Sequence, residues 1–280
     1  MRIGIVGVGM VGGTLSYGFT RLGHDVVEHD VKLGTKIDAV LNAPLVFVCV
    51  PTPQADDGSC DWHLVRDVVV DLSSKAYRGL IVIKSTVLPG ATDRLAHSYP
   101  RLRLAFCPEF LREKSAYSDF VENHDVCIIG AYNQTDFDLI KMAHGSFPKS
   151  FVWVRPIEAE IAKYFSNTLN AARIVFANQF FEICEAVGAD YTAVKNAVAK
   201  RSNVGDHYLD CNKNFRAFGG ACLPKDTAAL AAFVRDRGID AGLFAWILAE
   251  NEKIKEEKIK ERGRPKARSA FNPLNHEQTK

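Results

Sequence analysis

Short apolar, β-branched runs recur along the first half of the chain: RIGIV at 2–6, DVVEH at 25–29, LVFVCV at 45–50, LIVIK at 80–84, LRLAF at 102–106, VCIIG at 126–130 and FVWV at 151–154. Most read as buried strands, because apolar runs this short and rich in β-branched residues suit a sheet covered on both faces. Helix-period segments lie between several of them, notably at 10–22, 61–76 and 134–144. This alternation predicts an α/β fold with a doubly wound parallel sheet of Rossmann type over residues 1–154. After Pro156 the pattern turns helical throughout. One helix is expected from Pro156 to Ala186, about 45 Å long and closed by Gly188. Further helices are expected at 191–200, 224–236 and 241–261, so residues 155–262 read as an all-helical central domain. The tail at 263–280 is polar and basic without apolar period, which predicts disorder.

The first strand runs directly into Gly7-x-Gly9-x-x-Gly12 at the start of a helix. These glycines allow a tight turn and close backbone approach to a pyrophosphate at a positive helix N-terminus. The second strand ends at Asp30, eighteen positions after Gly12, where a carboxylate can accept from a ribose diol and repel a 2′-phosphate. The combination predicts NAD rather than NADP as cofactor. Only 14 residues, Val31 to Pro44, precede the next strand, so a crossover helix there is trimmed.

Composition narrows the field further. With 280 residues, 47% hydrophobic, 24% charged and a net charge of +2, the chain has an ordinary globular make-up and no global field for nucleic acid. No apolar run approaches the roughly 18–20 residues that span a membrane. The seven cysteines are scattered without a C-x-x-C pair, which predicts neither a disulfide framework nor a metal site and suits reduced thiols in a cytoplasm.

Candidate chemistry concentrates in four segments. In FRAFGGACLPKDTAAL (215–230), Gly219 and Gly220 permit a turn, Pro224 suits the first helical position, and Cys222 precedes the helix. Helix N–H groups and Lys225 would favour its thiolate. A role as a small buried hydrophobe suits Cys49 and Cys127 better. Lys163 and Asn167 share one face of the long helix, either as oxyanion donors or as a solvated face. Glu109 and Glu113 follow a strand, either as an acid–base pair or as a turn salt-bridged with Arg112 and Lys114. Thr86 ends another strand, where a plain helix cap is the alternative.

Taken in order, GIVGVGMVG, VPTPQADDGS, KSTVLPG, PEFLREKSAYSDF, EAEIAKYFSNTLNAARIVFANQFFEICEAVGAD and FGGACLPKDTAAL resemble the UDP-glucose/GDP-mannose dehydrogenase family over residues 1–255. The resemblance implies a four-electron oxidation of a nucleotide-sugar alcohol to a carboxylate, with two NAD molecules reduced in turn. It implies Cys222 as nucleophile, Lys163 and Asn167 as oxyanion stabilisers, Glu109 as base for thioester hydrolysis, and Thr86 with Asp226 holding a water, supported by Glu113 and Lys225. Cofactor contacts are implied at Gly7, Gly9, Met10, Val11, Gly12, Asp30, Thr52, Thr86, Glu113 and Lys225. Substrate contacts are implied at Glu109, Phe110, Leu111, Lys163, Asn167, Phe218 and Gly219. UDP-glucose is the expected substrate and GDP-mannose the alternative. The central domain is expected to form a homodimer.

The resemblance implies a third, sugar-nucleotide-binding domain that the motifs do not reach, and one expectation is that a second chain supplies it. Lys114 and Ala217 stand where glycines are usual. A poorly active NAD-binding remnant and a related hydroxyacid dehydrogenase are the competing expectations.

Overall fold

The computed structural model describes residues 1–263. The tail expected from 263 onward lies outside the described residues, save for Gly263 at the end of the last helix. By compactness the chain divides into one unit of Met1–Ala172 with Gly219–Leu248, and a second of Arg173–Phe218 with the chain from Ala249. The sequence pattern changes near 154–156, where the sheet ends, but the first turns of the following helix and the Cys222 segment both belong with the sheet.

The first unit is built on seven strands: β1 (Arg2–Val6), β2 (Asp25–His29), β3 (Leu45–Val48), β4 (Leu80–Ile83), β5 (Arg103–Phe106), β6 (Val126–Gly130) and β7 (Ser150–Val154). They lie in the order β2-β1-β3-β4-β5-β6-β7. Helices α1 (Met10–Arg21), α2 (His63–Ser74), α3 (Ala91–Ser98), α4 (Ala116–Val121) and α5 (Gln134–His144) connect them. Alternate strand residues divide the core between the two faces, as period-2 geometry requires. Val46, Val48, Ile81, Ile83 and Leu104 pack on one side, and Leu45, Phe47, Leu80, Val82 and Ala105 on the other.

One feature departs from the expected parallel, doubly wound sheet. Strand β6 meets β5 antiparallel through Phe106 and Gly130, although β6 and β7 are parallel to each other. The connection from β5 to β6 holds the 3-10 turn at Glu113–Ser115 and helix α4 of six residues. Between β2 and β3, 3-10 turns at Val31–Leu33 and Ile37–Val40 replace a crossover helix, as the short connection predicts. Helices α3 and α4, of eight and six residues, were not anticipated because segments so short carry little periodicity.

Helix α6 (Pro156–Val187, 32 residues) is about 48 Å long. Its start is fixed to the sheet unit by Glu160, whose carboxylate accepts from the Thr92 amide at 2.8 Å and the Thr92 hydroxyl at 2.6 Å at the N-terminus of α3. Gly130 lets the two elements approach, since a Cβ there would lie 2.6 Å from Pro156 Cα. Helix α6 is followed by α7 (Tyr191–Ala199), α8 (Leu223–Asp236) and α9 (Leu243–Gly263). Gly188 and Gly238 take φ values of +71° and +63° after α6 and α8, the left-handed closure expected of each.

The second unit has its own small core of Ala177, Phe181, Cys184, Tyr191 and Cys211. Asn178 Oδ1 accepts from Arg216 Nε at 2.8 Å, and Asn251 brackets Phe218 by accepting from its amide at 2.7 Å and donating to its carbonyl at 3.1 Å. Ala217 has φ +61°, the left-handed conformation that a glycine adopts without steric cost. Among the described residues, no helix is long and apolar enough to cross a membrane.

Candidate active site

The loops after β1, β3 and β4 open at the carboxyl edge of the sheet, where strand order reverses between β2-β1 and β3-β4. Ligands of open α/β sheets bind at such a switch point. A cavity of about 970 Å³ occupies it, lined by Gly7, Gly9, Met10, Val11, Asp30, Thr52, Thr86, Glu109, Leu111, Lys163, Cys222 and Lys225 among others. All of these belong to the first unit.

The glycine turn fits a cofactor phosphate for a steric reason. Gly7 sits at φ +90°, and a Cβ on Gly12 would lie 1.9 Å from the Gly7 carbonyl oxygen. Those two glycines therefore serve the protein's own turn. Gly9 is different: a Cβ there would meet nothing within 4 Å, so its bareness opens space only to something outside the chain. Gly9 caps α1, whose first N–H groups have no intrahelical acceptors. Asp30 accepts from the Val8 amide at 2.7 Å and the Lys32 amide at 2.8 Å. These bonds hold its carboxyl below the usual carboxylate range, and the carboxylate oxygens retain further lone pairs for a hydroxyl.

The opposite wall is built from side chains. Cys222 is exposed and caps α8, with Pro224 at the second helical position rather than the first. Lys163 is buried and donates to the Glu109 carbonyl oxygen, with its ammonium 5.3 Å from the centre of the Phe110 ring. Burial pulls the Lys163 pKa down, opposed by the charges of Asp226, Cys222 and Glu109. One turn on, Asn167 Nδ2 donates to Asp226 Oδ2 at 2.6 Å, and Lys225 Nζ bonds Asp226 Oδ1 at the same distance. The Lys225 charge is thus engaged by Asp226, and the expected support for the Cys222 thiolate is shared with that carboxylate. Asp226 and Asn167 stand behind the cavity wall as a buried, matched pair.

Glu109 is 8% exposed. Its Oε1 accepts from the Phe110 amide at 2.9 Å. Lys84 Nζ lies 3.2 Å from Oε2, an ion-pair contact without hydrogen-bond alignment, so Oε2 is a buried acceptor without a hydrogen bond. A carboxylate so placed can take a proton from water in the cavity.

Several expectations are not met. Glu113 does not pair with Glu109: the backbone between them is extended into a 3-10 turn at Glu113–Ser115, leaving Glu113 exposed and outside the cavity lining. Arg112 bonds Asp119 at 2.6 Å instead of a glutamate. Thr86 caps no helix, since α3 begins after Gly90; it lines the cavity, and its carbonyl oxygen lies 3.5 Å from Cys60 Sγ. Phe110 and Gly219 are not part of the lining, and Phe218 belongs to the second unit.

Lys84 is the residue that sequence reasoning missed. Its ammonium contacts Pro108 O at 3.1 Å and Cys107 Sγ at 3.4 Å besides Glu109. Burial alone would lower its pKa, but the combined pull of Cys107 and Glu109 raises it, keeping the lysine charged. A signal existed: in LIVIK, alternation puts Lys84 on the same inward face as Leu80 and Val82, where a lysine must find anions.

The profile of the UDP-glucose/GDP-mannose dehydrogenase family matches the chain twice, its NAD binding domain at residues 31–147 and its central domain at 157–253. The chain belongs to the UDP-glucose/GDP-mannose dehydrogenase family. Within this family the chain is 29% identical to the putative UDP-glucose 6-dehydrogenase YtcA of Bacillus subtilis, over 90% of this chain and 68% of that protein. It is also 29% identical, over the same shares, to GDP-mannose 6-dehydrogenase of Pseudomonas savastanoi pv. phaseolicola. The solved UDP-glucose dehydrogenase of the archaeon Pyrobaculum islandicum superposes with a TM-score of 0.84 at 29% identity, covering 93% of this chain and 71% of that one. The chain therefore spans about 70% of the length of these relatives. As a UDP-glucose/GDP-mannose dehydrogenase family member it carries an NAD-binding domain, in agreement with the fit of the Gly7–Gly12 turn and Asp30.

Proposed function

We propose that the protein catalyses the NAD-dependent oxidation of the C6 alcohol of UDP-glucose to the carboxylate of UDP-glucuronate through a covalent thioester on Cys222. The observation that carries the reading is the convergence of Cys222, Lys163 and Glu109 on the same cavity as the Gly7–Gly12 turn. NAD held by that turn and Asp30 supplies the hydride acceptor for each two-electron step.

The protein's own groups account for the rest. The Cys222 thiolate adds to the intermediate aldehyde, giving a thiohemiacetal that cannot leave and whose oxidation gives the thioester. Lys163 stabilises the oxyanion that forms at each addition, and Asn167, one turn on, holds Asp226 in place. Glu109 removes a proton from the water that cleaves the thioester, returning the thiol. Asp226, held by Asn167 and Lys225, fixes the segment that carries the cysteine, and Thr86 faces the cavity. The free thiols suit a reducing, cytoplasmic setting.

Exposed Ile161, Phe165, Leu169, Phe176, Phe180 and Ile183 form an apolar stripe along α6 at helical spacing. That stripe supports a homodimer, with light scattering expected to give twice the chain mass.

The test is NADH production from UDP-glucose, GDP-mannose and simple hydroxy acids. Two NADH per UDP-glucose are expected, with loss of about 10⁶-fold in turnover for Cys222→Ser, the scale set by removing a catalytic nucleophile. GDP-mannose as the better substrate would transfer the reading to that sugar. NAD binding with no turnover of any sugar, or one hydride per turnover independent of Cys222, would refute it.

A further inference from the structure

One face of the sheet ends in a buried polar cluster that the proposed reaction does not use. Cys107 follows β5, Cys127 lies in β6, and His144 closes α5; they are 0%, 2% and 0% exposed. The two sulfurs are 3.7 Å apart, and a ring nitrogen of His144 lies with them in a group whose ligand atoms are all within 4.8 Å of one another.

Two thiols in contact are ordinary core packing, but three observations set this pair apart. First, the sulfur separation of 3.7 Å equals the edge of a tetrahedron whose centre is about 2.3 Å from each sulfur, the zinc–thiolate bond length. Second, His144 Nδ1 lies 2.9 Å from the Ile140 carbonyl oxygen, which fixes the ring proton on Nδ1. Nε2 is then a lone-pair donor, and it is buried with no hydrogen-bond partner. A carbonyl-held Nδ1–H with a free Nε2 is how metal-ligating histidines are oriented. Third, Lys84 Nζ donates to Cys107 Sγ at 3.4 Å, an outer contact that stabilises a thiolate. With a divalent ion in place, two thiolates, Lys84 and Glu109 sum to zero net charge.

We propose that Cys107, Cys127 and His144 form a buried site for a thiophilic divalent cation of the zinc type. Binding releases the two thiol protons and forms two metal–sulfur bonds and one metal–nitrogen bond. The fourth position falls to water. The ion would tie Cys107 beside β5 to Cys127 in β6, where the sheet is joined only through the Phe106–Gly130 pairing. Through Lys84 it would also fix the side chain that faces Glu109.

The test uses the full chain, reduced, stripped with chelator and titrated with Co²⁺. The expected result is one equivalent bound with tetrahedral thiolate–cobalt absorption, bleached by Zn²⁺, lost in Cys107→Ala and Cys127→Ala and kept in Cys222→Ala. Zinc should raise the thermal midpoint of the wild type and not that of Cys127→Ala. If neither buried variant folds, zinc-edge absorption of the wild type decides, with two sulfurs and at least one nitrogen expected. Absence of the cobalt–thiolate band, its persistence unchanged in Cys127→Ala, or a zinc shell of oxygen and nitrogen alone would overturn the site. None of these readouts depends on sugar oxidation, so this site and the proposed reaction fail separately.

Discussion

On one side of the cavity, three glycines within six residues shape a turn out of backbone, and the chain's own atoms explain two of them. On the other side, Glu109, Lys163 and Cys222 arrive from segments more than fifty residues apart in sequence and hold one another through a carbonyl, an amide and two lysines. The first wall depends on what side chains are missing, the second on which are present and paired. Damage to the first should therefore show in cofactor binding and to the second in turnover, and the following measurements test that separation.

Short of removing the cysteine itself, the largest effect is expected from Asn167→Asp. It places a second carboxylate against Asp226, which Asn167 now contacts at 2.6 Å. Two carboxylates that close cannot both ionise. Turnover should fall by about 10²-fold, the scale of misplacing a reacting group by about 1 Å, while the NAD dissociation constant measured by fluorescence titration stays within about twofold of wild type, a shift under 0.5 kcal/mol. A comparable loss of NAD affinity would show that the two walls are not separable.

Next comes a contrast within the glycine turn. Gly12→Ala puts a methyl group 1.9 Å from the Gly7 carbonyl oxygen, forcing the backbone apart. Denaturant unfolding should show a loss of about 1–3 kcal/mol, the usual cost of overpacking, together with weaker NAD binding. Gly9→Ala meets nothing within 4 Å, so its unfolding midpoint should match wild type while NAD affinity drops. Equal loss of stability in both variants would remove the argument that Gly9 is bare for a ligand.

The smallest effect is in the pH profile. Burial lowers the Lys163 pKa, so the ammonium is lost as pH rises through a value below 10.5, earlier than for an exposed lysine. Activity should show an alkaline limb there, absent from the residual activity of Lys163→Met. The sign for stability is opposite. In that window the unfolded chain holds the proton more tightly, so this group's contribution to folding improves as pH rises and worsens as it falls. A wild-type limb unchanged in Lys163→Met would assign it to another group.

The same contrast explains what the sequence revealed. The glycine spacing, Asp30 and the strand runs report local backbone requirements, and these are legible wherever the period is strong. The antiparallel entry of β6 rests on the pairing of Phe106 with Gly130, which residue type does not record. Glu109 and Glu113 are four apart as on a helix, yet the backbone there is extended and they part. Lys84 reads as the last residue of a strand until the groups around it are in place. Cys107, Cys127 and His144 are 20 and 17 positions apart and show no ligand spacing; only the pairing of β5 with β6 and the end of α5 bring them together.

The sheet unit is discontinuous in the chain: residues 173–218 intervene before Gly219–Leu248 rejoin it. During synthesis at about 5–20 residues per second, the 59 positions from Lys163 to Cys222 take about 3–12 s to emerge. The nucleotide-side turn, the sheet and the lysine helix are thus all made before the thiol exists. The nascent protein passes through an interval in which its glycine turn and Asp30 are complete and the Cys222–Lys225 side of the cavity has not yet been translated.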